Sequence, residues 1–233
     1  MSQKGIIFDF NGTLFFDSSL HLISFAECFT SRGMTPLDND FVIKNIFGQS
    51  NEAIYRAYFN FGQTDPTPEE LKAFSKEKEG RYIELCRRSE RHKSLCNGAE
   101  AMLDYLKAHS IPYCIATGSE YENVEFYIEH IGLDRWFSLD NIVYTDGTFR
   151  GKPEPDIYKI AAARLGLAPE ECAVFEDGTA GLIAARDAGI GKLFAVHEAT
   201  LPSPVAKGIT VCGEYNDFSD WKNILSELGL LFS

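Results

Sequence analysis

Long apolar runs are missing from this sequence. No stretch approaches the ~18–20 apolar residues that a membrane-crossing helix needs. The apolar stretch at the start holds one lysine and stops at Asp9, too short for a secretory leader. Paired cysteines are missing too. The six cysteines (Cys28, Cys86, Cys96, Cys114, Cys172 and Cys212) form no Cys-x-x-Cys pair, and several fall in apolar runs. They read as reduced, mostly buried thiols in a reducing compartment, and a cytoplasmic location is expected. Positive charge is scarce: 22 Lys and Arg stand against 34 Asp and Glu, a net charge of −12. Such a surface repels nucleic acid and anionic membranes, so neither is an expected partner. An anionic ligand would need a local cation to bind. There are no internal repeats, low-complexity tracts or long linkers.

What remains is the composition of an ordinary soluble globular protein, 45% hydrophobic and 24% charged over 233 residues. That length suits one large domain or two modest ones. Residues 5–10 form an apolar run stopped by Asn11-Gly12, a strand signal. From about residue 18 to 88 the spacing turns helical, with Leu22, Phe25, Ala26, Phe29, Ile54, Tyr58 and Phe61 at three- and four-residue intervals. Thr67-Pro68-Glu69-Glu70 reads as an N-cap, a first-turn proline and a capping-box glutamate, so a helix starts near 68.

Beyond residue 92 short apolar runs alternate with helical stretches. Helices are expected over 98–109, 120–131, 154–165 and 179–188, and strands over 112–116, 141–144, 172–175 and 192–196. This is the signature of βαβ units, whose right-handed crossovers place helices on both faces of a parallel sheet. The expected fold is α/β: a doubly wound, Rossmann-like core of residues 1–16 and 92–233, interrupted by an α-helical domain of residues 17–91. Residues 221–230 read as an amphipathic helix docked on the core rather than a partner surface, and a monomer or weak dimer is expected.

In open parallel sheets ligands bind beyond the carboxyl ends of the strands. The polar residues just past the apolar runs are therefore the candidates: Asp9, Asn11 and Thr13; Thr117, Gly118 and Ser119; Thr145, Asp146 and Lys152; Glu176, Asp177 and Thr179. Asp9, Glu176 and Asp177 would bring three carboxylates together, which repel unless neutralised. Oxygen-only ligands suit a hard cation, with Mg²⁺ the common one beside phosphate. Lys152 supplies a point charge for phosphate, and Thr117 a hydroxyl with nearby backbone N–H groups. An aspartate can act as a covalent nucleophile.

These residues resemble the motifs of the haloacid dehalogenase-like superfamily. Asp9-Phe10-Asn11-Gly12-Thr13-Leu14 is similar to the first motif, Asp-x-Asp-Gly-Thr, and Ala116-Thr117-Gly118-Ser119 to the second. Gly151-Lys152-Pro153-Glu154-Pro155-Asp156 is similar to the third, and Phe175-Glu176-Asp177-Gly178-Thr179-Ala180-Gly181 to the fourth. Their order and spacing resemble the subgroup with a helical cap between motifs one and two, which holds β-phosphoglucomutase-like enzymes and many sugar-phosphate phosphatases. The resemblance implies that Asp9 is nucleophile and metal ligand, that Asp177 with Glu176 completes a Mg²⁺ site, and that Thr117, Gly118 and Lys152 bind the transferring phosphate. The substrate so implied is a small phosphorylated metabolite.

Asn11 departs from the pattern, because the family's phosphatases carry an acid/base aspartate there. Asn cannot give or take that proton, a loss of about 10²–10⁴ in rate. The family's metal contact from this position is the backbone carbonyl, which Asn11 keeps. The asparagine is natural to a slow or specialised enzyme, introduced to trap a complex, or open to deamidation at Asn11-Gly12.

Other functional readings are a phosphosugar mutase, a non-catalytic phosphometabolite-binding protein, and a phosphonate hydrolase using a cap lysine. Lys44, Lys72, Lys76 and Lys78 read as solvated surface. Ser119, with Glu122 three residues on, reads as a helix N-cap. Asp17 and His21 either face the substrate or, the reading favoured, are a helix N-cap and a surface histidine. Asp146-Gly147 reads as a turn. Gly48-Gln49-Ser50-Asn51 is either a helix–helix turn or a specificity loop. His92, His109, His130 and His197 show no metal spacing.

Overall fold

The structure is a computed structural model that describes residues 3–35, 51, 54–56 and 66–232. The chain divides into two compact units, Met1–Phe16 with Ser94–Ser233, and Asp17–Lys93.

The larger unit is built on a six-stranded parallel sheet. Its strands are β1 (Gly5–Phe8), β2 (Tyr113–Glu120), β3 (Ile142–Thr145), β4 (Cys172–Glu176), β5 (Lys192–Val196) and β6 (Gly213–Tyr215), in spatial order β3-β2-β1-β4-β5-β6. The central strands are buried on both faces, which is why they read as unbroken apolar runs rather than alternating ones. One layer of the core gathers Ile7, Cys114, Val143, Tyr158, Val174 and Leu193. An aromatic stack runs through neighbouring strands, with Phe175 5.6 Å from Phe8 and 4.9 Å from Phe194. From β1 the chain first winds to β2 and β3, then returns to lay β4 on the other side of β1. The winding direction reverses between β1 and β4, and such a switch point opens a crevice at the strands' carboxyl ends.

The expected strands and helices of this unit are present, the helices as α3 (Ala99–Ala108), α4 (Tyr121–Ile131), α5 (Asp156–Arg164), α6 (Thr179–Asp187) and α7 (Trp221–Leu228). Strand β2 runs four residues past the expected end at 116, to Glu120, and β6 has no counterpart among the expected strands.

In the smaller unit the capping box at Thr67 is present. Thr67 Oγ1 accepts from the Glu70 N–H (3.2 Å), and the Glu70 carboxylate accepts from the Thr67 N–H (2.7 Å). The helical stretch expected from 18 to 88 contains α1 (Ser18–Ser31) and α2 (Pro68–Arg88). Phe25, Phe29, Tyr55, Leu71 and Phe74 form their shared core. Tyr58, Phe61, Lys44 and residues 48–50 lie outside the described residues.

Three local expectations in the smaller unit are corrected. Asp17 stands at the N-cap position of α1, but its carboxylate makes no cap bond; it is buried, accepts from the Tyr82 hydroxyl and pairs with His21 at 3.2 Å. His21 is not a surface residue. Its side chain is 22% exposed, stacks on Tyr82 at 4.1 Å and lies 2.6 Å from Lys78 Nζ. Lys78 is not solvated either: at 2% exposure its ammonium is paired with Glu79 (2.8 Å) and sits over the rings of Phe25 and Tyr82.

All six cysteines are free thiols. Among the described residues no helix is long and apolar enough to cross a membrane.

Candidate active site

The loop after β1 turns sharply. The carbonyl of Phe10 accepts from the N–H groups of Thr13, Leu14 and Phe15, and Gly12 takes a left-handed backbone (φ 78°). A Cβ on Gly12 would also lie 1.9 Å from Asp177 Oδ2, so only glycine lets the loops after β1 and β4 approach this closely. Their approach brings Asp9, Glu176 and Asp177 together, each offering an oxygen within 4.8 Å of the others. Three carboxylates with no nitrogen or sulfur among them match the donor set of a hard divalent cation.

Lys152 reaches into the same cluster. Its Nζ donates to Asp9 Oδ1 (2.6 Å) and Glu176 Oε2 (2.7 Å). Glu176 is further held by the Gly178 N–H on Oε1 (3.0 Å) and by the Tyr158 hydroxyl on Oε2. Asp9, Glu176 and Lys152 are all nearly buried. Burial first, then the neighbouring Glu176 charge, push the Asp9 carboxyl up to about 7, although Lys152 pulls the other way. Burial works against the charge on Lys152, but Asp9 and Glu176 outweigh it and hold the amine well above its usual range. Lys152 is therefore a cation.

The second group of expected residues surrounds Asn11. Thr117 is buried at the rim of β2; its hydroxyl donates to Asn11 Oδ1 (3.4 Å) and accepts from the Ser119 N–H (3.1 Å). Gly118 is exposed, with open space where a side chain would stand. Ser119 is not a helix N-cap. The helix α4 begins at Tyr121 with Glu120 at its cap position, and Ser119 Oγ instead donates to Asn11 Oδ1 at 2.8 Å. Asn11 Nδ2 donates to the hydroxyl of Tyr127 on α4 (2.8 Å). Asp146 is the turn residue expected, its exposed carboxylate accepting from the backbone and hydroxyl of Thr148.

Two residues that touch the site were missed, Tyr127 and Tyr158. Both lie on the buried face of a helix, where a tyrosine reads as core, and only the tip of each ring is polar.

The profile of the haloacid dehalogenase-like hydrolase family matches residues 3–189. The chain belongs to this family of enzymes. It is 29% identical over 205 residues to Protein CbbY of Rhodobacter capsulatus, covering 86% of this chain and 88% of that protein. It is 30% identical over 190 residues to fructose-1-phosphate phosphatase YqaB of Escherichia coli K12, covering 80% and 93%. The crystal structure of a family IA, variant 3 hydrolase from Entamoeba histolytica superposes with a TM-score of 0.82 at 33% identity, over 94% of this chain and 95% of the other.

Proposed function

We propose that this enzyme is a Mg²⁺-dependent phosphatase of a small phosphorylated metabolite, of the sugar-phosphate kind, acting through an aspartyl phosphate on Asp9. The observation that carries this is the placement of Lys152 between Asp9 and Glu176, with Asp177 alongside, at the switch point of the sheet. The relative named as a fructose-1-phosphate phosphatase supports the substrate class.

Asp9, Glu176, Asp177 and the backbone carbonyl of Asn11 are assigned as holders of the cation. When bound, Mg²⁺ supplies charge against the phosphoryl oxygens and offsets the repulsion among the carboxylates. Lys152, the Thr117 hydroxyl and the backbone at Gly118 hold the phosphoryl group. An Asp9 carboxylate oxygen attacks phosphorus as the bond to the leaving oxygen breaks. Water then attacks the phosphorus of the aspartyl phosphate, which restores Asp9 and releases inorganic phosphate. Asn11 has no proton to give the leaving oxygen, so the reaction favours groups that depart with little protonation, such as acyl phosphates or nitrophenyl esters. The helical unit Asp17–Lys93 is assigned as the cap that selects the substrate.

The test is phosphate release from a panel of sugar phosphates, an acyl phosphate and p-nitrophenyl phosphate, with Mg²⁺ or with chelator. Mg²⁺-dependent release that Asp9→Asn abolishes is expected. Release that survives chelation or Asp9→Asn, or none across the panel, would overturn the assignment.

A further inference from the structure

The chemistry above leaves two hydroxyl groups unused, those of Tyr127 and Ser119, which meet with that of Thr117 on one amide. Asn11 Nδ2 donates to Tyr127 Oη at 2.8 Å, while Asn11 Oδ1 accepts from Ser119 Oγ at 2.8 Å and from Thr117 Oγ1 at 3.4 Å. An amide has donors at one end and an acceptor at the other, and here both ends are engaged. The partners come from two consecutive elements 106 to 116 residues beyond Asn11, the end of β2 and the interior of α4. Tyr127 is itself braced. It is 1% exposed, and its ring packs on Phe10 (4.6 Å) and Phe15 (6.0 Å), which flank the loop that carries Asn11. A side chain locked by packing can hold its hydrogen-bond partner in one place, whereas a solvated one cannot.

We propose that Tyr127 and Ser119 are positioning residues. Through the amide of Asn11 they fix the loop after β1, and with it Asp9, against the carboxyl end of β2 that presents Thr117. This rests on the reading of Asp9 as nucleophile and Thr117 as a phosphate ligand. A displacement of about 1 Å between a nucleophile and the group it attacks can cost about 10²-fold in rate. The ladder between β1 and β2 ends at Phe8 and Ile115, so beyond it the loop and the strand end need such a tie. An apolar residue at 127 would preserve the packing and lose the tie, which separates the two roles experimentally.

The experiment has a kinetic arm and a spectroscopic arm. The kinetic arm measures kcat and KM for p-nitrophenyl phosphate with Mg²⁺ in the parent, Tyr127→Phe, Ser119→Ala, Ser119→Thr, Asn11→Ala and the double variant Asn11→Ala/Tyr127→Phe. Tyr127→Phe and Ser119→Ala are expected to lower kcat by about tenfold or more with KM within about threefold, and Ser119→Thr to recover most of the loss. In the Asn11→Ala background Tyr127→Phe should cost less than about twofold, because the tie is already gone. An equal cost in both backgrounds, or an unchanged kcat in the single variants, overturns the proposal, since packing alone would act in both.

The spectroscopic arm follows the side-chain amide of Asn11 by ¹⁵N NMR, which needs no turnover. Its hydrogens should exchange slowly in the parent and faster in Tyr127→Phe and Ser119→Ala. Fast exchange in the parent, or no change in the variants, overturns the proposal. If no variant and no parent turns over, the phosphatase reading fails. The amide resonances then decide the tie by themselves: protection lost in the variants supports it, and unaltered protection overturns it.

Discussion

A Cβ on Gly181 would lie 2.0 Å from the carboxyl carbon of Glu176. Gly181 sits in the helix α6 (Thr179–Asp187), where glycine has no conformational reason to be. Its absent side chain makes room for a carboxylate pinned by Lys152, Tyr158 and the Gly178 N–H. Gly181→Ala should raise helix propensity by up to about 1 kcal/mol. It should also push Glu176 off those partners, because the carboxylate is the flexible end and the helix backbone is not. The expected outcome is a variant that melts within a few degrees of the parent while Mg²⁺ affinity falls about tenfold or more. Isothermal titration with Mg²⁺ and a melting curve check it. Unchanged Mg²⁺ affinity would show that Glu176 does not need the space.

Asn11 makes a second expectation sharp. Asn11→Asp restores a group that can carry a proton, and Tyr127, Ser119 and Thr117 can all turn their hydroxyls to donate to it. Three donors favour the ionised carboxylate, and so limit the fraction that holds a proton to give. The gain for a sugar phosphate, whose leaving oxygen needs a proton, should therefore sit near the low end of acid/base effects, about 10²-fold in kcat. For p-nitrophenyl phosphate, whose leaving group needs none, the gain should stay under about fivefold. Equal gains on both substrates would mean that the aspartate acts through something other than leaving-group protonation.

Much of this architecture is legible because burial writes itself into the residue order. Strands β1, β2, β4 and β5 are covered on both faces and so appear as apolar runs, and polar residues that follow such runs fall on one rim. Strand β6 has no such run: Gly213-Glu214-Tyr215 is short and half-exposed at the sheet edge. Ser119 and Glu122 mimic a capping box. The strand continues to Glu120, and a partner 108 residues away takes the serine hydroxyl instead. Lys78 sits among Lys76, Glu77 and Glu79, a run that reads as a solvated helix face; its partner His21 lies 57 residues earlier. Tyr127 and Tyr158 look like plain core because nothing local shows where a phenol tip ends up. What escapes is in each case a tertiary hydrogen bond that overrides a sound local reading.

The buried polar group of the helical unit gives a stability prediction. Lys78 is paired with Glu79, which burial pushes up but Lys78, His21 and Asn51 together hold down at about 2. Removing one member of a buried ion pair strands the other, at a cost of about 3–5 kcal/mol. Because Glu79 keeps 21% of its side-chain surface, the low end is expected for Lys78→Met, about 3 kcal/mol. That corresponds to a loss on the order of 5–10 °C in Tm. Calorimetry at pH 7 checks it; a loss under about 1 °C would place Lys78 among ordinary surface lysines.

The raised Asp9 carboxyl couples stability to pH in a direction opposite to most carboxylates. Its value in the folded chain is about 7 against 3.8 for the free group. Between those limits the folded state holds a proton that the unfolded state has lost, so Asp9's contribution to stability is fully present below about 4 and is lost as pH rises toward 7. Without a divalent cation, Tm of the parent should fall between pH 5 and pH 7.5 by at least about 2 °C more than that of Asp9→Asn, which has nothing to titrate there. Adding Mg²⁺ at pH 7.5 should recover the loss in the parent, since a cation bound by the ionised cluster stabilises only the folded chain. It should do little for Asp9→Asn, which keeps Glu176 and Asp177 but has one charge fewer to offer. Parallel pH profiles for the two proteins in chelator would mean that Lys152 already neutralises Asp9 in full, and that burial of this carboxylate carries no penalty for the cation to relieve.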